Sequence, residues 1–204
     1  MEIYSTEEQQ AEAIKRFFKE NGTSLIAGAV LGLGGLYGWK AYNQNQITSA
    51  EASSEAYNQL IEGGEILSKS DAFLTENAGS NYAVLAAFVA AKEAVDAGEL
   101  DQAAGKLTFI ADNVKSPELK ATALLRLARV QLAQSKHDDA LATLGKSIPA
   151  SFAAQVAEIT GDVFLSKGDQ DKAREQYQKA IDADGANNNA LLQIKLDDLA
   201  AASN

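Results

Sequence analysis

The stretch GDVFLSKGDQDKAREQYQKA, residues 161–180, decides the fold of this chain. It places a small residue, Gly161, before a polar turn at Gly168, and a second small residue, Ala173, after that turn. Two helices approach closely only where each carries a small side chain, and a short polar turn makes consecutive helices antiparallel. The stretch therefore predicts a pair of antiparallel helices that cross at Gly161 and Ala173.

The same pattern occurs twice more, upstream of residue 161. Each copy has a small residue before a polar turn and an alanine twelve positions later, after the turn. The predicted crossing positions are Ala91, Ala103, Ala128, Ala140, Gly161 and Ala173. The later member of each pair recurs after 37 and then 33 residues, close to the period of about 34 residues in tetratricopeptide repeats. These units predict a tetratricopeptide-like domain of antiparallel helical repeats. A generic alanine-rich helical bundle is the alternative.

The composition of residues 41–204 agrees with an all-α fold. This region holds 34 alanines and the chain's two prolines, and alanine has the lowest cost of any residue in a helix. Ser116 followed by Pro117 is typical of a helix start, because proline at the first helical position loses no hydrogen bond. We also expect Asn81 to cap a helix over residues 82–97, and Asn187 to cap a last helix that ends at Leu199.

A run without charged residues lies upstream of the repeats, from Asn21 to Trp39. Nineteen helical residues span roughly 28 Å, close to the thickness of the hydrocarbon core of a bilayer. The run includes LIAGAVLGLGGLYGW at residues 25–39, with aromatic residues at its end. It predicts a transmembrane signal anchor over residues 21–42. Its glycine pairs would let another membrane helix approach closely, at Gly28, Gly32, Gly34 and Gly38.

A buried soluble helix and a cleaved signal peptide are the alternatives for this run. No small-x-small cleavage site follows Trp39 directly, which favours an uncleaved anchor. Lys15, Arg16 and Lys19 precede the run and only Lys40 closes it, so we expect the N-terminus to be cytoplasmic. Residues 43–204 would then lie across the membrane.

The segment before the run, residues 1–20, is predicted to be a cytoplasmic amphipathic helix. Ser5 and Glu8 form a capping-box pattern. Ile14, Phe17 and Phe18 then recur at helical spacing. The segment is interpreted either as a simple flank of the anchor or as a docking motif.

Composition narrows the classes of function. The net charge of −10 argues against a nucleic-acid binder, and the absence of cysteine excludes thiol catalysis and disulfides. His137 is the only histidine, and no nucleotide-binding or hydrolase motif occurs. Paired acids at Asp138-Asp139 and at Asp169 and Asp171 fit helix starts better than a calcium loop. We therefore predict a binding protein without catalytic residues, metal or cofactor.

Several segments together resemble one known family. They are Met1–Tyr4, Ala13–Gly22, Gly38-Trp39, Leu125–Gln131 and Leu165–Asp169. On these segments the chain resembles the YfgM family of Gram-negative bacteria, the ancillary subunit of the Sec translocon. The resemblance extends over essentially the full chain.

The resemblance implies a single-pass inner-membrane protein with a periplasmic repeat domain over residues 43–204. The partners it implies are the SecYEG channel and a membrane-anchored periplasmic chaperone of the prolyl-isomerase type. The expected role is that of an accessory chaperone or scaffold that helps exported proteins avoid misfolding. A regulatory tether is the second hypothesis, in which the cytoplasmic segment holds a stress-response regulator. The third hypothesis is an envelope hydrolase, but the sequence has no second histidine from which a nucleophile–base pair could be assembled.

Overall fold

The computed structural model describes residues 7–185 and 190–201. All regular structure in these residues is helical, which confirms the all-α prediction for the described part of the chain. The α-helices are α1 Glu7–Glu62, α2 Ile66–Glu76, α3 Asn81–Asp96, α4 Leu100–Asn113, α5 Pro117–Ala133, α6 His137–Leu144, α7 Ala153–Ser166, α8 Gln170–Ala180 and α9 Ala190–Ala201. A 3-10 turn at Ala150–Phe152 precedes α7, and a π turn at Ile181–Gly185 follows α8.

The chain divides into two units, Met1–Ala52 and Ser53–Asn204, with the boundary inside α1. In the first unit the apolar run of residues 25–39 is part of α1, and its side chains are exposed. Space is open around four of its glycines, because a Cβ would meet no atom within 4 Å at Gly28, Gly32, Gly34 or Gly38. Among residues 7–185 and 190–201, no helix has the length and apolar character needed to span a membrane.

The second unit is a series of helical hairpins. The end of α1 pairs with α2, α3 with α4, α5 with α6, and α7 with α8, and each hairpin turns on a residue with positive φ. These turn residues are Gly64, Gly98, Ser135 and Gly168, at intervals of 34, 37 and 33 residues. The described residues thus include one repeat more than the three predicted, and this repeat turns at Gly64, 34 residues before Gly98.

Alanine is the most frequent residue in the core of the hairpins. Five alanines of α3 have no exposed surface: Ala83, Ala86, Ala87, Ala90 and Ala94. Side chains this small let the backbones of neighbouring helices approach closely, and larger residues such as Leu107, Leu124 and Ile159 fill the space between them. The small side chains therefore allow short distances between the backbones of neighbouring helices.

Helix starts agree in part with the predictions. Ser116 caps α5, since its Oγ accepts a hydrogen bond from Leu119 N, and Pro117 is the first helical residue. The predicted cap at Asn81 is wrong by one residue, because Ser80 Oγ accepts a hydrogen bond from Ala83 N at 3.1 Å. Ser80 has extended backbone angles, which a cap requires, whereas Asn81 is already helical. The predicted caps Ser5 and Asn187 lie outside the described residues.

Candidate interaction surface

The six predicted crossing positions of the repeats are all buried. Ala103, Ala128, Ala140 and Ala173 have no exposed surface, and Ala91 is only 4% exposed. At Gly161 an added Cβ would lie 2.5 Å from two carbons of the Tyr177 ring. The backbone of α7 thus lies directly against an aromatic ring of α8. We infer that these small residues set the spacing of the hairpins.

The turns of consecutive hairpins are joined by polar contacts from one repeat to the next. Asp101 at the start of α4 accepts hydrogen bonds from Lys136 at 3.0 Å and from Gln134 at 2.8 Å. Asp138 at the start of α6 accepts one from Lys167 at 2.7 Å. The hydrogen bonds and charges of these lysines hold the pKa of Asp101 and of Asp138 below the usual value. Each pair links one hairpin to the next at the surface, where exposed ion pairs contribute little stability.

Three of the catalytic or cation-binding candidates have structural contacts at these same turns, namely His137, Asp138 and Asp169. His137 Nε2 lies 2.9 Å from Ser166 Oγ, so the histidine links the start of α6 to the end of α7. Asp169 caps α8 by accepting a hydrogen bond from Lys172 N. No group of three acidic or histidine side chains suited to a metal ion occurs in the part of the chain that the structure describes.

The candidate functional surface is formed by the first helix of each hairpin. We call it the first-helix face, and its residues are Leu85, Phe88 and Lys92 on α3, Thr122, Arg126 and Arg129 on α5, and Gln155, Glu158 and Asp162 on α7. They recur at intervals of three or four residues and are exposed or half-buried. Arg126 joins two helices of this face, because its guanidinium lies 5.2 Å from the centre of the Phe88 ring.

A polar network ties the last helix to this face. Lys195 Nζ of α9 donates hydrogen bonds to Asp162 Oδ1 at 2.7 Å and to Glu158 Oε1 at 3.1 Å. Tyr177 OH donates to Asp162 Oδ1 at 2.7 Å. Asp162 and Lys195 are 33 residues apart, the interval that also separates Ser135 from Gly168. α9 therefore occupies the place of the first helix in a further repeat.

Two members of this network, Tyr177 and Lys195, have a raised pKa. Burial raises the pKa of Tyr177, and the hydrogen bond to Asp162 raises it further. Burial alone would lower the pKa of Lys195, but the hydrogen bonds and charges of Asp162 and Glu158 outweigh it, so the pKa is raised. Tyr177 is thus held neutral and Lys195 charged, the two states that the hydrogen bonds require.

These shifts predict a loss of stability at alkaline pH. A group whose pKa is raised by folding contributes stability that is complete below its unfolded pKa and is lost as the pH rises through its folded pKa. The unfolded values are 10.0 for Tyr177 and 10.5 for Lys195. We therefore expect the free energy of unfolding in urea to fall as the pH rises above about 10.

Tyr177→Phe is the control for that experiment, because phenylalanine keeps the ring and removes the titrating hydroxyl. The variant should be less stable than the wild type at neutral pH and lose less stability on moving to alkaline pH. Equal losses in both proteins would show that Tyr177 does not contribute to the pH dependence.

The chain is similar to known proteins that define its class and its family. Residues 15–201 match the family model described as a tetratricopeptide repeat-like domain, so the chain is a helical repeat protein of this class. The ancillary SecYEG translocon subunit of Escherichia coli (strain K12) is 39% identical over 189 residues, which cover 90% of this chain and 91% of the relative. The chain belongs to the family of that protein, the YfgM family.

Two further relatives have the same description. The ancillary SecYEG translocon subunit of Haemophilus influenzae is 30% identical over 198 residues, 95% of this chain and 97% of the relative. The one from Neisseria gonorrhoeae is 28% identical over 208 residues, 98% of this chain and 100% of the relative. The family resemblance found in the sequence is confirmed, and the generic helical bundle is excluded.

The sequence did not indicate which residues form the first-helix face or the network around Lys195. For the network, the repeat period was an available signal, because Asp162 and Lys195 are one repeat interval apart and so occupy equivalent positions. Arg126 and Phe88 had no such signal, because their contact depends on how two helices from different repeats are rotated.

Proposed function

We propose that this protein is a non-enzymatic accessory scaffold of the Sec translocon that assists the export and folding of periplasmic proteins. The observation that carries the proposal is the near full-length match to relatives described as ancillary SecYEG translocon subunits. The repeat unit supports it, because helical repeat arrays bind other proteins along extended surfaces. The exposed residues of its first-helix face on α3 and α5 are open to such a partner.

The proposal includes a single transmembrane anchor over residues 21–42. The exposed side chains of α1 support it, because they form a continuous apolar surface in which Leu31 is 76% exposed and Trp39 is 68% exposed. Water disfavours such a surface and a bilayer favours it. Trp39 and Tyr42, whose ring centroids are 6.5 Å apart, would lie at the membrane interface.

In this arrangement residues 1–20 are cytoplasmic and residues 43–204 are periplasmic. The repeat domain would then stand close to the exit of the channel in the inner membrane. A tether of this kind raises the effective concentration of a binding surface for partners in the same membrane. The proposed partners are the SecYEG channel and a membrane-anchored periplasmic chaperone of the prolyl-isomerase type.

Affinity purification tests this proposal. The full chain, tagged after Asn204, is extracted from membranes with a mild detergent and captured. We expect channel subunits and a periplasmic prolyl-isomerase chaperone to be recovered with it. An unrelated single-pass protein with the same tag is the control. Recovery of neither partner above that control would contradict the proposal.

A regulatory tether is the second candidate function, and the N-terminal part of α1 favours it. Ile14, Phe17 and Phe18 are each more than half exposed there, although the helix bears charged residues around them. A soluble stress-response regulator could bind such a surface. Deleting residues 1–19 while keeping the anchor separates the two functions. Lost regulation with unchanged export would support the tether, and impaired export would support the scaffold.

A further inference from the structure

Two arginines on the first-helix face have no acidic partner among the described residues. Both arginines are exposed. In the described residues, no carboxylate oxygen lies within 4.0 Å of a side-chain nitrogen of Arg126 or Arg129. Residues 41–204 contain 23 acidic and 14 basic residues, so acidic groups are abundant in this part of the chain. On the same face Lys92 is paired with Asp96 at 2.5 Å. Among the described residues, the positive charges of these two arginines are thus left without a carboxylate partner, although residues 41–204 are rich in acidic groups.

Arg126 is held ready to bind a carboxylate. Its guanidinium lies over the Phe88 ring, and this cation–π contact favours one position of the exposed side chain. The N–H donors of a stacked guanidinium stay free to form paired hydrogen bonds with a carboxylate. Arg129 lies three residues further along α5, on the same side of the helix.

Apolar surface adjoins these charges. Leu85 is 49% exposed and lies three residues before Phe88 on α3, on the same side of that helix. Phe88 itself is half-buried and carries Arg126 on its ring. An apolar strip on α3 therefore borders a positive strip on α5. We call Leu85, Phe88, Arg126 and Arg129 together the arginine patch.

We propose that the arginine patch binds an acidic segment of a partner protein that also carries an apolar side chain. Carboxylates of the segment pair with Arg126 and Arg129, and its apolar side chain packs on Leu85 and Phe88. The inference rests on the proposed function, since it names the chemistry of what the first-helix face binds.

Charge favours a protein segment over an anionic membrane surface as the occupant. A lipid surface is broad and would also approach the acidic groups of the domain, which it repels. The patch offers two positive charges that have no carboxylate partner in the described part of the chain, a match to one or two carboxylates on a narrow chain. Glu158 and Asp162 of α7 lie on the same face and would repel an acidic segment that extended beyond α5.

Peptide binding to the full chain in a nonionic detergent tests the inference. One fluorescein-labelled peptide contains glutamate, leucine, glycine and serine, and a matched peptide has glutamine in place of each glutamate. Fluorescence anisotropy measures both affinities. We expect the glutamate peptide to bind at least about tenfold more tightly than the glutamine peptide, because charge-assisted hydrogen bonds are the stronger kind.

Variants assign that preference to the patch. The double variant Arg126→Gln/Arg129→Gln should lose about tenfold or more in affinity for the glutamate peptide and keep its affinity for the glutamine peptide. Arg129→Gln alone, at an exposed position, should lose about threefold and serves if the double variant does not fold by circular dichroism. Lys179→Gln is the matched control. It removes one positive charge from α8, which is the second helix of its hairpin and carries no residue of the arginine patch. It should change neither affinity.

Three results would overturn the inference. They are equal binding of the two peptides, unchanged affinity in both arginine variants, and displacement of the peptide by glycerol phosphate at similar concentration. The last would identify an anionic lipid headgroup as the occupant. Failure of the peptide experiment with successful capture of channel subunits would contradict this inference alone. Failure of that capture would contradict the proposed function, whatever the peptide does.

Discussion

Gly161→Leu is expected to destabilise the repeat unit by about 3 kcal/mol, because overpacking a buried site forces strained side chains or backbone shifts. An added Cβ alone would lie 2.5 Å from the Tyr177 ring. The ring has no exposed surface, and its hydroxyl is fixed by the hydrogen bond to Asp162, so it has little freedom to move away. Urea denaturation followed by circular dichroism measures the loss.

The matched control is Gly105→Leu in the middle of α4. A Cβ at Gly105 meets no atom within 4 Å, and the residue is exposed. Leucine has a better helix propensity than glycine, so this variant should gain up to about 1 kcal/mol. A double variant, Gly161→Leu/Tyr177→Leu, should lose less than the sum of its two single changes, because the second relieves the clash of the first. Equal stability of Gly161→Leu and Gly105→Leu would contradict close packing of α7 on Tyr177.

The features of the fold that the sequence predicted are those set by local chemistry. A helix crossing requires a small residue, so the spacing from Ala103 to Ala140 and Ala173 was visible as a repeat. Ser116 followed by Pro117 marks a helix start by its own hydrogen-bonding properties. Gly98 and Gly168 adopt positive φ, which glycine allows without strain.

The features that the sequence did not predict depend on contacts between repeats. Ser135 takes the same left-handed conformation as the three glycines, although nothing in a serine indicates it. The repeat that turns at Gly64 was missed because Tyr57 stands where later repeats have a small residue, 34 positions before Ala91. Tyr57 packs instead against Phe73 and Tyr82, at centroid distances of 6.5 and 5.7 Å.

The candidate surface also combines features that local sequence predicts with features that depend on contacts between repeats. Exposure of Arg126 and Arg129 on one side of α5 follows from helical periodicity. The stacking of Arg126 on Phe88 and the placement of Lys195 between Glu158 and Asp162 require the relative rotation of helices from different repeats. That rotation is fixed by the summed packing of many side chains, so no short motif encodes it.

The proposed anchor predicts that two aspartates in the middle of the apolar run release the protein from the membrane. Leu31→Asp and Gly35→Asp lie four residues apart, on one side of α1. Aspartate at the centre of a membrane helix costs about 3 kcal/mol by insertion scales, so the pair costs about 6 kcal/mol. We expect the wild-type chain to stay in the membrane pellet after an alkaline carbonate wash, and the double variant to appear in the soluble fraction or to be degraded.

The double variant Gln46→Asp/Ala50→Asp is the matched control. It adds the same two charges at the same spacing on α1, at exposed positions beyond residue 42. Acidic residues contribute little to the orientation of a membrane helix, so neither variant should invert the chain. The control should therefore remain in the pellet with the wild type. If the Leu31→Asp/Gly35→Asp chain also resists the carbonate wash, the apolar run does not hold the protein in the bilayer. The exposed apolar side chains of α1 would then have to be covered by another protein.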